Sequence, residues 1–476
     1  MVRNALSRHL VLVGFMGAGK STLGPVLAQR LRRPFVSIDE VVEQRAGSSV
    51  AELFAARGES AFRELEEQAA LDLLAQRELS VIELGGGGLG SAATRAVLHT
   101  SAFMLHLETT PEEAWDRVSS SGRPLARDRD AFYVLFDERR ALYEAANGSA
   151  RDLDGAVLAA AGVHVSNGAL ERLGELVPGS GDIELVADEH VDSLYGDSVR
   201  AALGARVVGS HVVPAGELAK RALEAERLWS ALRVGRSGTI VVLGGGCTID
   251  VGGFVAATYL RGVAWISVPT TLLAQVDAGI GGKTAIDVPE GKNLVGAFHW
   301  PARTVVDPDV LSTLPQSELE NGRSEVVKTG LLAGEPFWEL ATFEQVRRCA
   351  AFKSAVCLRD PHDRGARAQL NLGHTFAHAL EAASGYSLAH GHAVALGLLA
   401  ALRVSGLEDD ARQVEEILKP PLAHVDREVA WTALARDKKA AGGRPALVLL
   451  DAPGKPRLGI EVEPQVVRAA LDSLIA

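Results

Sequence analysis

Residues 10–22 read Leu10-Val-Leu-Val-Gly14-Phe-Met-Gly17-Ala18-Gly19-Lys20-Ser21-Thr22. Four apolar residues run directly into Gly-x-x-x-x-Gly-Lys-Ser/Thr. This order predicts a buried parallel strand, a loop that wraps a polyphosphate, and a helix from Lys20 to about residue 31. The glycines let backbone N–H groups approach phosphate oxygens, and the helix N-terminus adds a positive end. Lys20 is placed to reach the β- and γ-phosphates, and the Ser21 hydroxyl suits Mg²⁺. Polyphosphate contacts are therefore expected from Gly14, Gly17, Ala18, Gly19, Lys20, Ser21 and Thr22.

Working outward, short apolar runs at 35–38, 81–84 and 103–107 read as further strands, with helical patterns at 61–76 and 111–118 between them. Strand–helix alternation over some 150 residues predicts an α/β domain with a mostly parallel sheet. Asp39 follows the second strand, where a carboxylate can meet a substrate hydroxyl. Gly85-Gly86-Gly87-Gly88 follows the third, at the sheet edge where open α/β folds bind ligands. Arg63, Arg123 and Arg139, taken singly, suit a solvated face as well as a site.

The small, polar stretch 146–154 is expected to close this domain, giving 1–154 and 155–476. The second part predicts strands at 183–187, 206–208, 212–213, 239–243 and 264–268. From about 317 it turns helical until a strand at 446–450. It is thus an α/β half (155–316) followed by a mainly helical half (317–476). The chain has 476 residues, 47% hydrophobic and 23% charged, which suits several globular cores. With 49 Lys plus Arg against 60 Asp plus Glu, the net charge of −11 gives no general attraction to nucleic acid or anionic membranes. Cys247, Cys349 and Cys357 are too few for a disulfide framework and point to a reducing, cytoplasmic setting. No uncharged apolar run reaches ~18 residues, so no membrane span is expected.

In the second part, Gly244-Gly245-Gly246-Cys247-Thr248-Ile249-Asp250 follows a strand and opens a helix, a seat for a pyrophosphate. Thr270-Thr271, Asp277, Gly281-Gly282-Lys283 and Gly291-Lys292-Asn293 follow; polar groups in glycine-rich surroundings suit a phosphorylated, polyhydroxylated ligand. Farther on stand Glu325, Lys328, His374, His378, His390 and His392. His374 and His378 share a helix face. Two histidines with one carboxylate make a catalytic-type zinc set with an open position. The pattern leaves the choice among the four histidines open.

Residues 10 to about 145 resemble shikimate kinase. The matching pieces are GFMGAGKST at 14–22, SIDEVVEQRAG at 37–47, GESAFRELEE at 58–67, GGG at 85–87, GRPL at 122–125 and RxxLY at 139–143. The resemblance implies ATP- and Mg²⁺-dependent phosphorylation of shikimate, with ATP as the polyphosphate in the loop. Asp39 then contacts the reacting hydroxyl, Arg63 and Arg139 grip the substrate carboxylate, Gly85, Gly86 and Gly87 approach the ring, and Arg123 is the lid arginine. Two features depart from the family. Ser37 stands where the first carboxylate of Asp-x-Asp supports Mg²⁺ through water, and no last strand or adenine loop is legible in 144–154.

Residues 163 to about 450 resemble 3-dehydroquinate synthase, on PAGELAK at 214–220, PTTLLAQVD at 269–277, GGKTAI at 281–286, GKNLVGAFH at 291–299, SEVVKTG at 324–330, LNLGHTFAHALEAASGY at 370–386 and HGHAVALG at 390–397. The resemblance implies a Zn²⁺ or Co²⁺ set of Glu325, His374 and His390. It implies NAD⁺ contacts from Asp188, Glu217, Lys220, Gly245, Gly246, Asp250, Thr270 and Thr271. Substrate contacts fall on Asp277, Lys283, Lys292, Asn293, Lys328, Lys353, Arg367, Asn371 and His378, with His378 placed for proton transfer. Lys283 and Lys328 join the catalytic set. Arg261 would reach a neighbouring subunit, implying a homodimer. The implied reaction converts 3-deoxy-D-arabino-heptulosonate 7-phosphate to 3-dehydroquinate and phosphate: hydride leaves C5, phosphate is eliminated, hydride returns, and an internal aldol closes the ring. Here Ile249 replaces a usual glycine and is expected to crowd the turn, His392 replaces a usual glutamate, and Ala278 and Gly279 replace two serines.

The two resemblances together imply a bifunctional shikimate-pathway enzyme. The alternatives are an inactive or regulatory kinase half, or a second half acting as a related sugar-phosphate cyclase or polyol dehydrogenase.

Overall fold

A computed structural model describes residues 4–119, 126–437 and 446–476. The chain divides into two units, 1–163 and 164–476.

The first unit holds five strands: β1 (His9–Val13), β2 (Phe35–Ser37), β3 (Val81–Glu83), β4 (Ala102–Leu107) and β5 (Gly148–Ala150). They pair in the order β2-β3-β1-β4-β5, all in parallel. Every residue of β1 is buried, as its unbroken apolar run requires. The helix Val50–Leu74 opens on a capping box between Ser49 and Glu52. It breaks at Gly58, whose φ of 78° lies outside the helical range, so the segment carrying Arg63 takes its own direction.

The last strand that 144–154 failed to reveal is present. β5 pairs with β4 from Leu105↔Gly148 to Leu107↔Ala150. Three residues, Gly-Ser-Ala, carry no apolar alternation, so periodicity could not show it. The boundary expected after Asp154 also moves. The helix Leu153–Ala161, N-capped by Asp152 and ended at a left-handed Gly162, buries Ala156, Val157 and Leu158, and the first unit extends through it to Val163.

After the boundary residue Val163, which opens β6 (Val163–Val165), the second unit continues with β7 (Ile183–Asp188), β8 (Val207–Val213), β9 (Thr239–Gly244), β10 (Ala264–Pro269) and β13 (Arg303–Val306), and these strands form one sheet, ordered β6-β13-β10-β9-β7-β8. The pairs from β13 to β8 are parallel. The two short strands expected at 206–208 and 212–213 are one edge strand, β8. Its polar and glycine middle hid the continuity. β11 (Lys283–Val288) and β12 (Gly291–Phe298) form an antiparallel hairpin, so the Gly-Gly-Lys and Gly-Lys-Asn loops read from sequence are strand ends. The helical half centres on His390–Val404, buried almost throughout from Ala393 to Leu402. β14 (Ala446–Leu450) and β15 (Pro456–Glu461) add a second hairpin. Among the described residues no helix is long and apolar enough to cross a membrane.

Candidate active sites

In the first unit the chain leaves β1 through Gly14, Gly17 and Gly19, at φ of 149°, 83° and 91°. A Cβ on Gly17 would stand 2.6 Å from the Ala114 carbonyl oxygen, so this turn admits only glycine. Gly19 caps the helix Lys20–Leu31 without a side chain, leaving the first amides open toward the loop. Lys20 is buried and its Nζ donates to the carbonyls of Gly14 (2.7 Å) and Phe15 (3.2 Å). Ser21 Oγ donates to Glu83 Oε1 at 2.6 Å. A hydroxyl and a carboxylate beside a phosphate loop are an all-oxygen donor set, which fits Mg²⁺.

A cavity of about 460 Å³ lies at the glycine turn after β3, lined by Arg63, Gly86, Gly87, Arg139 and Tyr143 among others. Arg63 is held by Glu66 (2.6 Å) and Glu59 (3.0 Å). Glu66 is buried, and its Oε1 has no hydrogen-bond partner. A side chain on Gly85 would strike that oxygen and come within 3.1 Å of Asp39 Oδ1, and one on Gly87 would strike the Arg63 guanidinium. The glycines therefore let Asp39, Glu66 and Arg63 converge. Arg139 Nη1 (3.0 Å) and Tyr143 Oη (2.5 Å) both donate to the Gly86 carbonyl, holding the glycine turn in place. Burial pushes the Glu66 carboxyl upward against the pull of Arg63. The structure thus brings together Asp39, Arg63, Arg139 and Gly85–Gly87. Arg123 lies outside the described residues.

In the second unit, Glu325 comes from the helix Gln316–Ala333, His374 from the start of His374–Ala383 and His390 from the start of His390–Val404. One ligand atom from each lies within 4.8 Å of the others. Glu325 is fully buried, and its Oε1 has no hydrogen-bond partner. Its Oε1 stands 3.6 Å from His374 Nε2 and 3.8 Å from His390 Nε2. These gaps are too long for hydrogen bonds. They suit donors that each approach a shared ion at about 2.0–2.2 Å. An acceptor oxygen buried without a hydrogen bond is costly, and Oε1 is left facing the two imidazole nitrogens, so the residues fit a metal. His374 Nδ1 faces the Leu372 carbonyl (3.2 Å) and His390 Nδ1 faces Glu381 Oε1 (3.1 Å). Each partner leaves Nε2 for the metal. Lys328 pairs with Glu325 Oε2. Burial, Lys328 and the other histidines push His374 well below its usual range, toward the neutral ligand form. Burial alone would lower His390 too, but Glu381 and Glu325 outweigh it and raise it.

The geometry chooses among the four histidines. The His378 ring lies edge-on to His374, centroids 5.5 Å apart, outside the three-residue cluster. His392 Nε2 bonds the Pro421 carbonyl at 2.7 Å and is a bystander.

A cleft of about 500 Å³ runs from Asp188, Gly245, Gly246, Thr270 and Thr271 at the C-terminal edge of the sheet to Glu381 and to His390, one residue of this trio. Gly245 caps the helix Gly246–Thr258 with no side chain, leaving amides for a pyrophosphate. Asp188 bonds the Val191 amide (2.9 Å) and the Thr248 hydroxyl (3.2 Å). Buried Lys220 donates to Asp250 (2.7 Å) and to Asn293, with Asp287 at 3.9 Å. Lys292 pairs with Glu217 at 3.0 Å. Thus Lys292 and Asn293, expected on the substrate, stand among residues expected on NAD⁺, because the β11–β12 hairpin carries them there.

Asp277 pairs with Lys353 at 2.7 Å. Burial would raise the Asp277 carboxyl, but Lys353 and Lys328 hold it far below the usual range. Arg367 is buried and donates to the Gly281 carbonyl at 2.9 Å, and Lys283 pairs with Asp363 at 2.5 Å. Asn371 ends the turn Ala366–Asn371, half-buried. Arg261 is exposed, with φ of 66°. Ile249 does not crowd the turn. It lies one helical turn in, 1% exposed, in a core cluster with Val186, Val213 and Val242. Sequence reasoning missed Glu66, Glu83, Asp360, Asp363 and Glu381. Only Glu381 carried a clear signal, as the seventh residue after His374 on one helix face.

Comparison with known proteins places three family models on the chain: shikimate kinase on residues 16–160, 3-dehydroquinate synthase N-terminal on 210–321, and 3-dehydroquinate synthase C-terminal on 322–440. The 3-dehydroquinate synthase of Symbiobacterium thermophilum is 40% identical over 347 residues, covering 66% of this chain and 97% of the relative. That of Gloeobacter violaceus is 40% identical over 344 residues, covering 65% and 95%. Among solved structures, 2-deoxy-scyllo-inosose synthase matches at 25% identity and a TM-score of 0.58, covering 66% of this chain and 96% of its own. The 2-epi-5-epi-valiolone synthase of Streptomyces hygroscopicus, solved with NAD⁺ and Zn²⁺, matches at 26% and 0.59 with the same coverage.

Proposed function

From the premise that this chain belongs to the 3-dehydroquinate synthase family and carries a shikimate kinase domain ahead of it, we propose a bifunctional enzyme. One site forms 3-dehydroquinate and phosphate from 3-deoxy-D-arabino-heptulosonate 7-phosphate; the other phosphorylates shikimate with ATP.

The observation that carries the synthase reading is a cleft that reaches His390 of the three-ligand metal cradle at one end and an open helix N-terminus at the other. When bound, NAD⁺ supplies a reversible hydride acceptor and Zn²⁺ or Co²⁺ a Lewis acid for the substrate hydroxyls. The chain's own residues do the rest. Gly245 and Gly246 offer amides to the pyrophosphate. Glu217, Lys220, Asp250, Thr270 and Thr271 orient the dinucleotide beside Asp188. Lys328, Lys353, Arg367 and Lys283 gather positive charge for the substrate phosphate and carboxylate. Asp277 is fixed as a carboxylate by its lysines. Asn371 and His378 complete the substrate shell, His378 moving protons.

In the kinase unit, Lys20 and the loop amides hold the phosphates, Ser21 helps bind Mg²⁺, Arg63 and Arg139 take the shikimate carboxylate, and Asp39 accepts the hydroxyl proton. The enzyme works in the cytoplasm as a homodimer through its second unit, with Arg261 reaching the neighbouring cleft.

The test is product identification by NMR. The full chain, given the heptulosonate phosphate, NAD⁺ and Zn²⁺, is expected to give 3-dehydroquinate, and to turn over shikimate when ATP and Mg²⁺ are added. A different carbocycle, with glucose 6-phosphate as the better substrate, would move the second unit to another sugar-phosphate cyclase. ATP binding without shikimate turnover would leave the first unit a regulatory module.

A further inference from the structure

Position 37 is serine, so the kinase unit lacks the carboxylate that its resemblance leads one to expect there. The fold sets another carboxylate beside the gap. β2 and β3 run in parallel with Ser37 opposite Glu83, so both residues stand at the C-terminal edge of neighbouring strands, about 5 Å apart along the sheet. Glu83 is also opposite Leu12 on β1, the strand that feeds the phosphate loop. Its Oε1 takes the hydrogen bond from Ser21 Oγ at 2.6 Å. Ser21 is the second residue of a helix whose first amides face that loop. In phosphate-loop enzymes the loop hydroxyl and an acid at a strand end hold the nucleotide's cation between them.

We propose that Glu83, joined to Ser21, is the carboxylate that holds the kinase's divalent cation, standing in for the acid absent at position 37. The inference rests on the kinase reading above. The negative charge is kept at the sheet edge but moves one strand inward, from β2 to β3. Glu83 is the one residue of β3 that is not buried, so its carboxylate is free to face the loop.

The full chain is compared as wild type, Glu83→Gln, Glu83→Asp and the double variant Ser37→Asp/Glu83→Gln. ADP binding is titrated with and without Mg²⁺, and Mn²⁺ binding to the ADP complex is followed by electron paramagnetic resonance. Removing a carboxylate that holds a metal weakens the metal by about tenfold or more. E83Q is therefore expected to lose the metal-dependent part of ADP affinity and to raise the Mn²⁺ Kd by about tenfold or more. Metal-free ADP should bind it at least as tightly, since a repelling charge is gone. The double variant is expected to regain most of the Mn²⁺ affinity, and E83D to keep Mn²⁺ with an altered spectrum. Wild-type Mn²⁺ affinity in E83Q overturns the inference. So does an equal loss of metal-free and metal-bound ADP, or E83D matching a metal-blind E83Q, because a merely structural glutamate behaves that way. If wild type itself binds no ADP, the kinase reading falls and takes the inference with it.

Discussion

Two side chains decide how the synthase site is tuned. Glu381 holds His390 Nδ1 at 3.1 Å and fixes which ring nitrogen faces the metal. Replacing it with glutamine should weaken Zn²⁺ by about 10–100-fold, read by competition with a chromogenic chelator; unchanged affinity would mean that packing alone orients the ring. Ile249 is the opposite case. Sequence marked it as a threat to the pyrophosphate turn, yet its side chain fills the core between helix and sheet. Ile249→Ala should cost about 2–5 kcal/mol of stability, seen as an earlier denaturation midpoint. NAD⁺ affinity, measured by calorimetry, should change little. The residue types were legible at both positions. What sequence could not show was direction: a helix residue three places past a glycine turn faces either the ligand or the sheet, and the packing decides which.

At the scale of elements, the turn that presents Arg367 is wound around one carboxylate. Asp360 accepts from the amides of Arg364 (2.8 Å), Gly365 (2.7 Å) and Arg367 (3.0 Å). Burial would raise Asp360, but these amides outweigh it and hold it below the usual carboxylate range. A carboxyl lowered by folding stabilises fully above its unfolded value of about 3.9 and loses that contribution as pH falls through its folded value. Asp360→Asn should therefore cost about 1–3 kcal/mol near neutral pH, with the gap in melting temperature narrowing toward pH 3. It should also raise KM for the phosphorylated substrate more than it lowers kcat. An equal gap at both pH values would count against the carboxylate as the cause. The strands with clean apolar runs, such as β1 and β9, and the glycine turns after them were legible because burial on both faces demands such runs. β5 and the β11–β12 hairpin were not, since Gly-Ser-Ala and Gly-rich strands carry little pattern. Placement of Lys292 and Asn293 beside Lys220 was lost with the hairpin.

The whole molecule joins two units that each hold their own core: one cluster around Val11, Ile82 and Met104 in the first, and clusters around Val242, Ile266 and Phe376 in the second. Each proposed site draws its residues from one unit. Fragments 1–162 and 163–476, expressed separately, should each keep kcat/KM within a few-fold of the full chain, assayed with shikimate and with the heptulosonate phosphate; loss of either activity in a folded fragment would show that one unit depends on the other. The bifunctional reading was legible because both sets of site residues sit in short runs of restricted spacing. The metal trio was not settled by spacing alone, as four histidines competed until geometry removed His378 and His392. The most direct measurement is phosphate release from 3-deoxy-D-arabino-heptulosonate 7-phosphate by the purified chain with NAD⁺ far below substrate, with and without a chelator, while NADH absorbance is followed. Many phosphates released per NAD⁺, no net NADH, and loss of release on chelation are the predicted result. NADH accumulating in step with substrate, or no release from folded, metal-loaded, NAD-bound protein, would contradict it.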